Sequence, residues 1–237
     1  MSQISDYHQY VYETPWGKLF YRLLWSQLDH LSLTNKDILD FGSGFGKTAE
    51  HFARKNKITA YEPNKEMLHY QDSSLPYLQI TGSLENLFNR VGNQKFDYIF
   101  IHNVLEYVSD PQELLTKLKT LLKPDGHFSI VKHNKLGHVF ASAVFADKPE
   151  KGIEILDQKQ MISQSFGPMY IYSLNELKAW LSLPLINVLG IRAVYGLSTN
   201  NQVKYTQKWQ NTMFQLEDRL STDPYAKNVA FFQHVIV

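Results

Sequence analysis

Residues 39–53, LDFGSGFGKTAEHFA, carry an acid, Asp40, and then glycines at 42, 44 and 46, where an apolar strand must turn into a helix. Small residues at such a bend let the backbone approach a ligand closely. The loop can hold a phosphate, a dinucleotide, or a cofactor with no phosphate at all. Gly46-Lys47-Thr48 invites the phosphate reading, but that pattern needs a further glycine five residues before Gly46, and Phe41 stands there. Gly44, Gly46 and Ala49 meet the relaxed dinucleotide pattern, two residues later than its strict form. Counted from Gly42, the third glycine falls on Lys47 and close helix–strand packing is lost.

Such a loop needs a strand before it and a helix after it. DILDF (37–41) reads as a short buried strand and KTAEHFARKN as the helix. ITAYE (58–62), YLQI (77–80) and FDYIFI (96–101) read as further strands, and NKEMLHYQD as a helix capped by Asn64. In DPQELLTKLKTLLKPDG, Asp110 is placed to cap a helix, Pro111 to begin it, and Pro124-Asp125-Gly126 to stop it before the strand HFSIVKH. Short apolar strands alternating with helices predict a parallel sheet covered on both faces. Ahead of it, Leu19, Phe20, Leu23, Leu24, Leu28 and Leu31 have the spacing of an amphipathic helix. Residues 134–170 break the rhythm, and a long irregular insertion is usually a lid or binding segment. Ser173 and Glu176 form a capping box before the next helix; INVLGIRAVYGL reads as a strand, TQKWQNTMFQLEDRLS as a helix and NVAFFQHVIV as a closing strand. One domain is expected: a helical cap (1–34), a cofactor-binding core (35–133), the insertion (134–170) and the rest of the sheet (171–237).

The string Asp40-Phe41-Gly42-Ser43-Gly44-Phe45-Gly46 resembles the first motif of the Rossmann-like, class I S-adenosylmethionine-dependent methyltransferases. Three further stretches follow in the family's order: AYEPN with Glu62, TGSLENL with Ser83 and Leu84, and FDYIFIHNVLEYVSDP with His102. The resemblance implies an α/β fold, a doubly wound, mostly parallel seven-stranded sheet with its last strand antiparallel. It also implies S-adenosyl-L-methionine as cofactor. Gly42, Ser43 and Gly44 would admit the ligand, and Asp40 would supply negative charge near its cationic end. Glu62, about 20 residues on, would accept the ribose hydroxyls. Ser83 and the Leu84 backbone would meet the adenine, although many relatives have an Asp where Ser83 stands, and His102 would line the methionine side.

VYETPWGKLFYRLLWSQLD, HNVLEYVSDP, HNKLGHVF, GIRAVYGL and the C-terminal LEDRLSTDPYAKNVAFFQHVIV look like the methyltransferases that esterify carboxymethoxyuridine at the tRNA wobble position. This implies a carboxylate acceptor on tRNA. A carboxylate is already ionised at neutral pH, so no general base is required. Arg192, in an otherwise apolar run, is the candidate to hold that carboxylate, with Tyr195 beside it to stack or orient a base. The competing reading of Arg192 is an arginine paired with a structural acid or snorkelling at a sheet edge. Relatives carry a basic residue facing the cofactor carboxylate where this chain has Phe20; Lys18 and Arg22 flank it but point elsewhere on a helix, and Tyr12 or backbone is the candidate substitute. The rival enzyme reading is a small-molecule methyltransferase. The rival of another class is a non-catalytic protein that binds the cofactor or uses the fold only for interaction.

The remaining features are plainer. The 237 residues are 43% hydrophobic and 20% charged, with a formal net charge of +1, so no global field favours nucleic acid or a membrane. The absence of cysteine excludes disulfides, thiolate metal sites and a cysteine nucleophile. His133 and His138, five apart with Asp147 nearby, lack helical ligand spacing, and no metal is expected. Lys204 and Lys208, one helical turn apart, read as a solvated helix face; with Lys132 and Lys135 they are also candidates for phosphate contacts. MSQISDYHQY lacks a signal-peptide layout and no apolar run approaches a membrane span, so a cytoplasmic location is expected.

Overall fold

The computed structural model describes residues 3–71, 74, 76–158, 160–163 and 165–237. Its elements run α1 (Gln3–Glu13), α2 (Pro15–Asp29), β1 (Asp37–Phe41), α3 (Lys47–Ala53), β2 (Lys57–Tyr61), α4 (Lys65–Leu68), β3 (Leu78–Ile80), α5 (Leu84–Val91) and β4 (Phe96–His102). Then come α6 (Pro111–Lys119), β5 (Leu122–His133), α7 (Lys135–Phe140), α8 (Pro149–Asp157), β6 (Gln160–Ser163), β7 (Gly167–Tyr170) and α9 (Leu174–Leu181). The chain ends with β8 (Asn187–Ile191), α10 (Gln207–Leu220), α11 (Ala226–Val229) and β9 (Phe232–Ile236).

Among the described residues, seven strands form one sheet in the order β3-β2-β1-β4-β5-β9-β8, and β6 and β7 form a separate hairpin. The pairs from β3 through β5 are parallel, while β9 runs antiparallel to both β5 and β8. The expected doubly wound α/β sheet with an antiparallel last strand is thus the observed one. β1 and β2 are buried along nearly their whole length because helices cover both faces. On one face Leu87, Leu115, Leu118, Leu177 and Leu181 pack from α5, α6 and α9. On the other, Leu23, Leu24 and Leu28 of α2 and Phe52 of α3 pack against Ile38, Ile58 and Phe100.

The local signals explain most boundaries. Thr14 caps α2 by accepting the Gly17 N–H at 3.1 Å, and Pro15 takes its first position. Asp110 caps α6, and Ser173 with Glu176 forms the reciprocal capping box of α9. Asn64 caps α4, which is a single turn; the Asp72 end of the helix expected there lies outside the described residues. Five helices were not expected: α1, α5, α7 and α8 in the insertion, and α11 just before the closing strand. Ile4, Tyr7 and Val11 of α1 have helical spacing and pack on Phe45 and Met67, so the signal was present in a largely polar segment. The insertion is α7, a π-helical extension over Ala141–Phe145, α8 and the β6–β7 hairpin.

Leu39 lies at the centre of the sheet with no solvent exposure. Leu39→Ala is expected to lower the unfolding free energy by about 2–5 kcal/mol, read as a lower urea midpoint at unchanged slope. A loss below about 1 kcal/mol would contradict its place in a fully packed layer.

Candidate functional site

Strand order reverses between β1 and β4, and in such sheets a crevice opens at the carboxyl ends of the strands. A cavity of about 540 Å³ lies there. The loop after β1 bends into it through Gly42, Gly44 and Gly46, with φ of +77°, +57° and +78°, a region that disfavours any residue with a Cβ. A Cβ on Gly42 would come 2.5 Å from Val104 Cγ2, and one on Gly46 would come 2.1 Å from the Tyr77 hydroxyl. The loop is tied to its neighbour by Glu62, just past β2. Gly44 N–H donates to Glu62 Oε2 at 2.8 Å, and Asn64 N–H donates to Oε1 at 2.9 Å.

Asp40 is 3% exposed. Burial, reinforced by the Glu62 charge and opposed by the Ala49 N–H, raises its carboxyl to about 7. Its Oδ2 and the Ser43 hydroxyl are buried without a hydrogen-bond partner. Unpaired buried oxygens beside a cavity are costly unless a ligand fills it. Among the described residues no lysine or arginine lines the cavity, whereas Asp40 and Glu62 do, so the lining suits a ligand with positive charge.

Of the residues singled out in the sequence, Asp40, Gly42, Ser43, Gly44, Glu62, Leu84 and His102 all line this cavity. Ser83 does not. Its hydroxyl caps α5 by accepting the Asn86 N–H at 3.2 Å, a role that its place before LENLF signals. Phe20 also lines the cavity. Lys18 is exposed and Arg22 turns away to Asn211 and the Phe214 ring. Tyr12 lies outside the lining, with its ring 3.9 Å from the Lys47 ammonium. Tyr7 and Tyr21 occupy the wall near Phe20 instead.

A second cavity of about 570 Å³ adjoins the first, and Tyr7, Trp16, Asn103, Tyr107 and Phe166 line both. It contains Arg192 and Tyr195. Arg192 is 5% exposed and has φ of +63°, left-handed for a residue with a side chain. Three consecutive N–H groups, of Ala193, Val194 and Tyr195, donate to the Glu217 carboxylate and hold this turn. The Glu217 charge also stabilises the Arg192 guanidinium from a distance, but among the described residues no acid lies close enough to form an ion pair with it, and its Nε and Nη1 have no hydrogen-bond partner. The guanidinium sits 4.8–4.9 Å from the ring centres of Trp16, Tyr195 and Phe231. Burial brings it down to about 10, still charged at neutral pH.

Lys204 lines the same cavity and is 4% exposed, donating to Ser198 O at 2.7 Å and Asn201 Oδ1 at 3.1 Å. It is therefore not on a solvated face with Lys208, because it lies in a separate turn ahead of α10 that points its side chain inward. Lys132 is also buried, donating to His133 O. Burial takes Lys132 and Lys204 out of an exposed phosphate patch, while Lys208 stays exposed and Lys135 half-buried. His133 and His138 line the cavity and share a hydrogen bond of 2.8 Å between Nδ1 and Nε2.

Residues 39–128 match the family described as Methyltransferase domain. The chain is 32% identical over 111 residues to the ubiquinone biosynthesis O-methyltransferase of Proteus mirabilis, covering 44% of this chain and 45% of that one. It is 28% identical over 141 residues to the tRNA 5-carboxymethoxyuridine methyltransferase of Escherichia coli K12, covering 54% and 53%. The chain spans about half the length of these curated relatives. Among solved structures, an S-adenosylmethionine-dependent methyltransferase from Mesorhizobium loti shares the fold at TM-score 0.57 and 13% identity, over 90% of this chain and 96% of that one. The plantazolicin methyltransferase BpumL, solved in complex with a monoazolic desmethylPZN analog and SAH, matches at TM-score 0.57 and 19% identity, over 98% of this chain and 87% of that one.

Asp40 gives the stability of the fold a pH dependence of its own. Between about pH 4 and about pH 7 the folded chain keeps a proton on Asp40 that the unfolded chain releases, so Asp40 lowers stability as pH rises through that window. Asp40→Asn removes this part of the slope. Thermal melts of the unliganded protein are expected to show the variant gaining on the parent from pH 4 to pH 8. A parallel pH dependence would contradict the buried carboxyl with its unpaired Oδ2.

Proposed function

We propose that the chain is an S-adenosylmethionine-dependent methyltransferase that methylates an oxygen of an anionic acceptor, the carboxylate of a modified tRNA wobble uridine. The observation that carries the acceptor class is Arg192, a buried cation without an acid partner among the described residues, placed in a cavity that opens onto the methyltransferase core. Glu217 offsets part of its charge without reaching the guanidinium, and the two unpaired donors Nε and Nη1 leave a fork that a carboxylate matches. The tRNA reading is supported by the match to the Escherichia coli enzyme.

The residues divide the work by charge. When bound, S-adenosylmethionine supplies an electrophilic methyl whose bonding pair stays with sulfur, so the acceptor oxygen needs alignment and a free lone pair but no base. Both Glu62 oxygens already accept one backbone N–H, and each keeps a lone pair for a ribose hydroxyl. Asp40 faces the positive end. Arg192 and Tyr195 fix the acceptor carboxylate and its ring. Tyr7, Trp16, Tyr107 and Phe166 form the apolar junction between the two cavities and exclude water there. Alignment of this kind is worth up to about 7–11 kcal/mol of barrier. The insertion closes part of the second cavity through Phe145, Met161 and Phe166 and is the proposed lid.

A small-molecule acceptor is the second reading, favoured by the match to the ubiquinone biosynthesis enzyme of Proteus mirabilis. Mass spectrometry of wobble nucleosides from a strain lacking this chain separates the two. Loss of a methyl ester is expected; an unchanged nucleoside profile would put the small molecule in front. In the purified protein, Arg192→Gln is expected to lower kcat/KM for the carboxylated acceptor by about a hundredfold while adenosylhomocysteine binding is retained. Equal loss of both would place Arg192 outside acceptor recognition.

A further inference from the structure

A chain of four hydrogen bonds leads from the first cavity through the sheet to the backbone of β8. His102 Nε2 lies 2.9 Å from Ser129 Oγ, which lies 2.8 Å from His234 Nε2. His234 Nδ1 lies 2.8 Å from Gln27 Oε1, and Gln27 Nε2 donates to Gly190 O at 2.9 Å. Ser129 and His234 have no solvent exposure and Gln27 has 4%.

The chemistry at its far end gives the chain one direction. The Gly190 carbonyl has no hydrogen, so Gln27 must turn its NH₂ towards it and its oxygen towards His234. His234 Nδ1 must then carry the hydrogen. His234 is neutral, since burial without an acid beside it brings it down to about 3, so its Nε2 is a bare acceptor. Ser129 must donate to that nitrogen, and its oxygen is left to accept from His102 Nε2–H. Burial and the neighbouring His234 keep His102 neutral as well. Its Nδ1, which has no protein partner among the described residues, therefore presents a lone pair on a ring that lines the first cavity.

The sheet order says what that lone pair meets. Across the strand ends the lining runs from Leu84, past β3, through Glu62 after β2 and Asp40 in β1 to His102 at the end of β4. On the S-adenosylmethionine reading of this cavity, on which the inference rests, Glu62 takes the sugar and the amino-acid end reaches β4. A bare imidazole nitrogen repels a carboxylate and accepts from an ammonium. We propose that Gln27, His234 and Ser129 are positioning residues that lock His102 as the Nε2–H imidazole, so that its Nδ1 accepts an N–H of the ligand's α-ammonium.

The test compares adenosylhomocysteine with its analogue lacking the α-amino group, each titrated calorimetrically into the parent protein and into Ser129→Ala. Removing the lock is expected to weaken adenosylhomocysteine about tenfold and to leave the analogue within about twofold. Nitrogen-15 NMR of the unliganded parent protein is expected to show His102 protonated at Nε2 alone, a reading that needs no variant. Equal losses for the two ligands, no loss for either, or His102 protonated at Nδ1 would each overturn the proposal. Failure of the parent protein to bind adenosylhomocysteine at all overturns the cofactor reading itself, a different result from parent binding with equal losses.

Discussion

Glu62 joins two loops that would otherwise have no reason to hold their shapes. One oxygen receives the Gly44 N–H and the other the Asn64 N–H, so a single side chain past β2 sets both the bend after β1 and the start of α4. The bend has three glycines in the left-handed region, with no side chains to stiffen it. Without that carboxylate the backbone would lose its anchor, and the cavity beside it would lose its shape. Desolvation raises the Glu62 carboxyl while the two backbone N–H groups oppose the rise, which is the signature of an acid held ready in a half-dry place.

The two cavities are opposite in charge and share an aromatic wall. Among the described residues, the first is lined by Asp40 and Glu62 and no lysine or arginine, and the second by Arg192 and Lys204 and no acid. In the proposed function this division matches the reactants, a cationic methyl donor and an anionic acceptor, and both lose their charge in forming products. An apolar junction favours such a reaction because the charged partners are poorly solvated there. The strain at Arg192 has the same logic. A left-handed arginine costs on the order of 1 kcal/mol or more and persists because Glu217 binds three successive N–H groups beyond it.

How much of this was legible in the sequence followed the range of the interactions. Alternating strands and helices, the caps at Asn64, Asp110 and Ser173, the glycine loop and Glu62 are local patterns, and the fold places them as their spacing implies. Arg192 stood out because a charge in an apolar run needs a reason. Ser83 was read for its place after β3 when its nearer role was to start α5, a helix whose cap and polar first turn were visible. Lys204 seemed to share a helix face with Lys208 because the turn that separates them is set by tertiary packing. The shared wall joins residues as distant as Tyr7, Tyr107 and Phe166, and the His102–Ser129–His234–Gln27 chain spans four elements. No spacing rule brings such residues together.

The most direct measurement is a crystal structure of the protein grown with adenosylhomocysteine. The account predicts the ribose hydroxyls on the Glu62 carboxylate, the loop of Gly42–Gly46 unchanged beneath the ligand, and the sulfur facing the junction with the Arg192 cavity. A ligand seated elsewhere, or a sugar out of reach of Glu62, would contradict it.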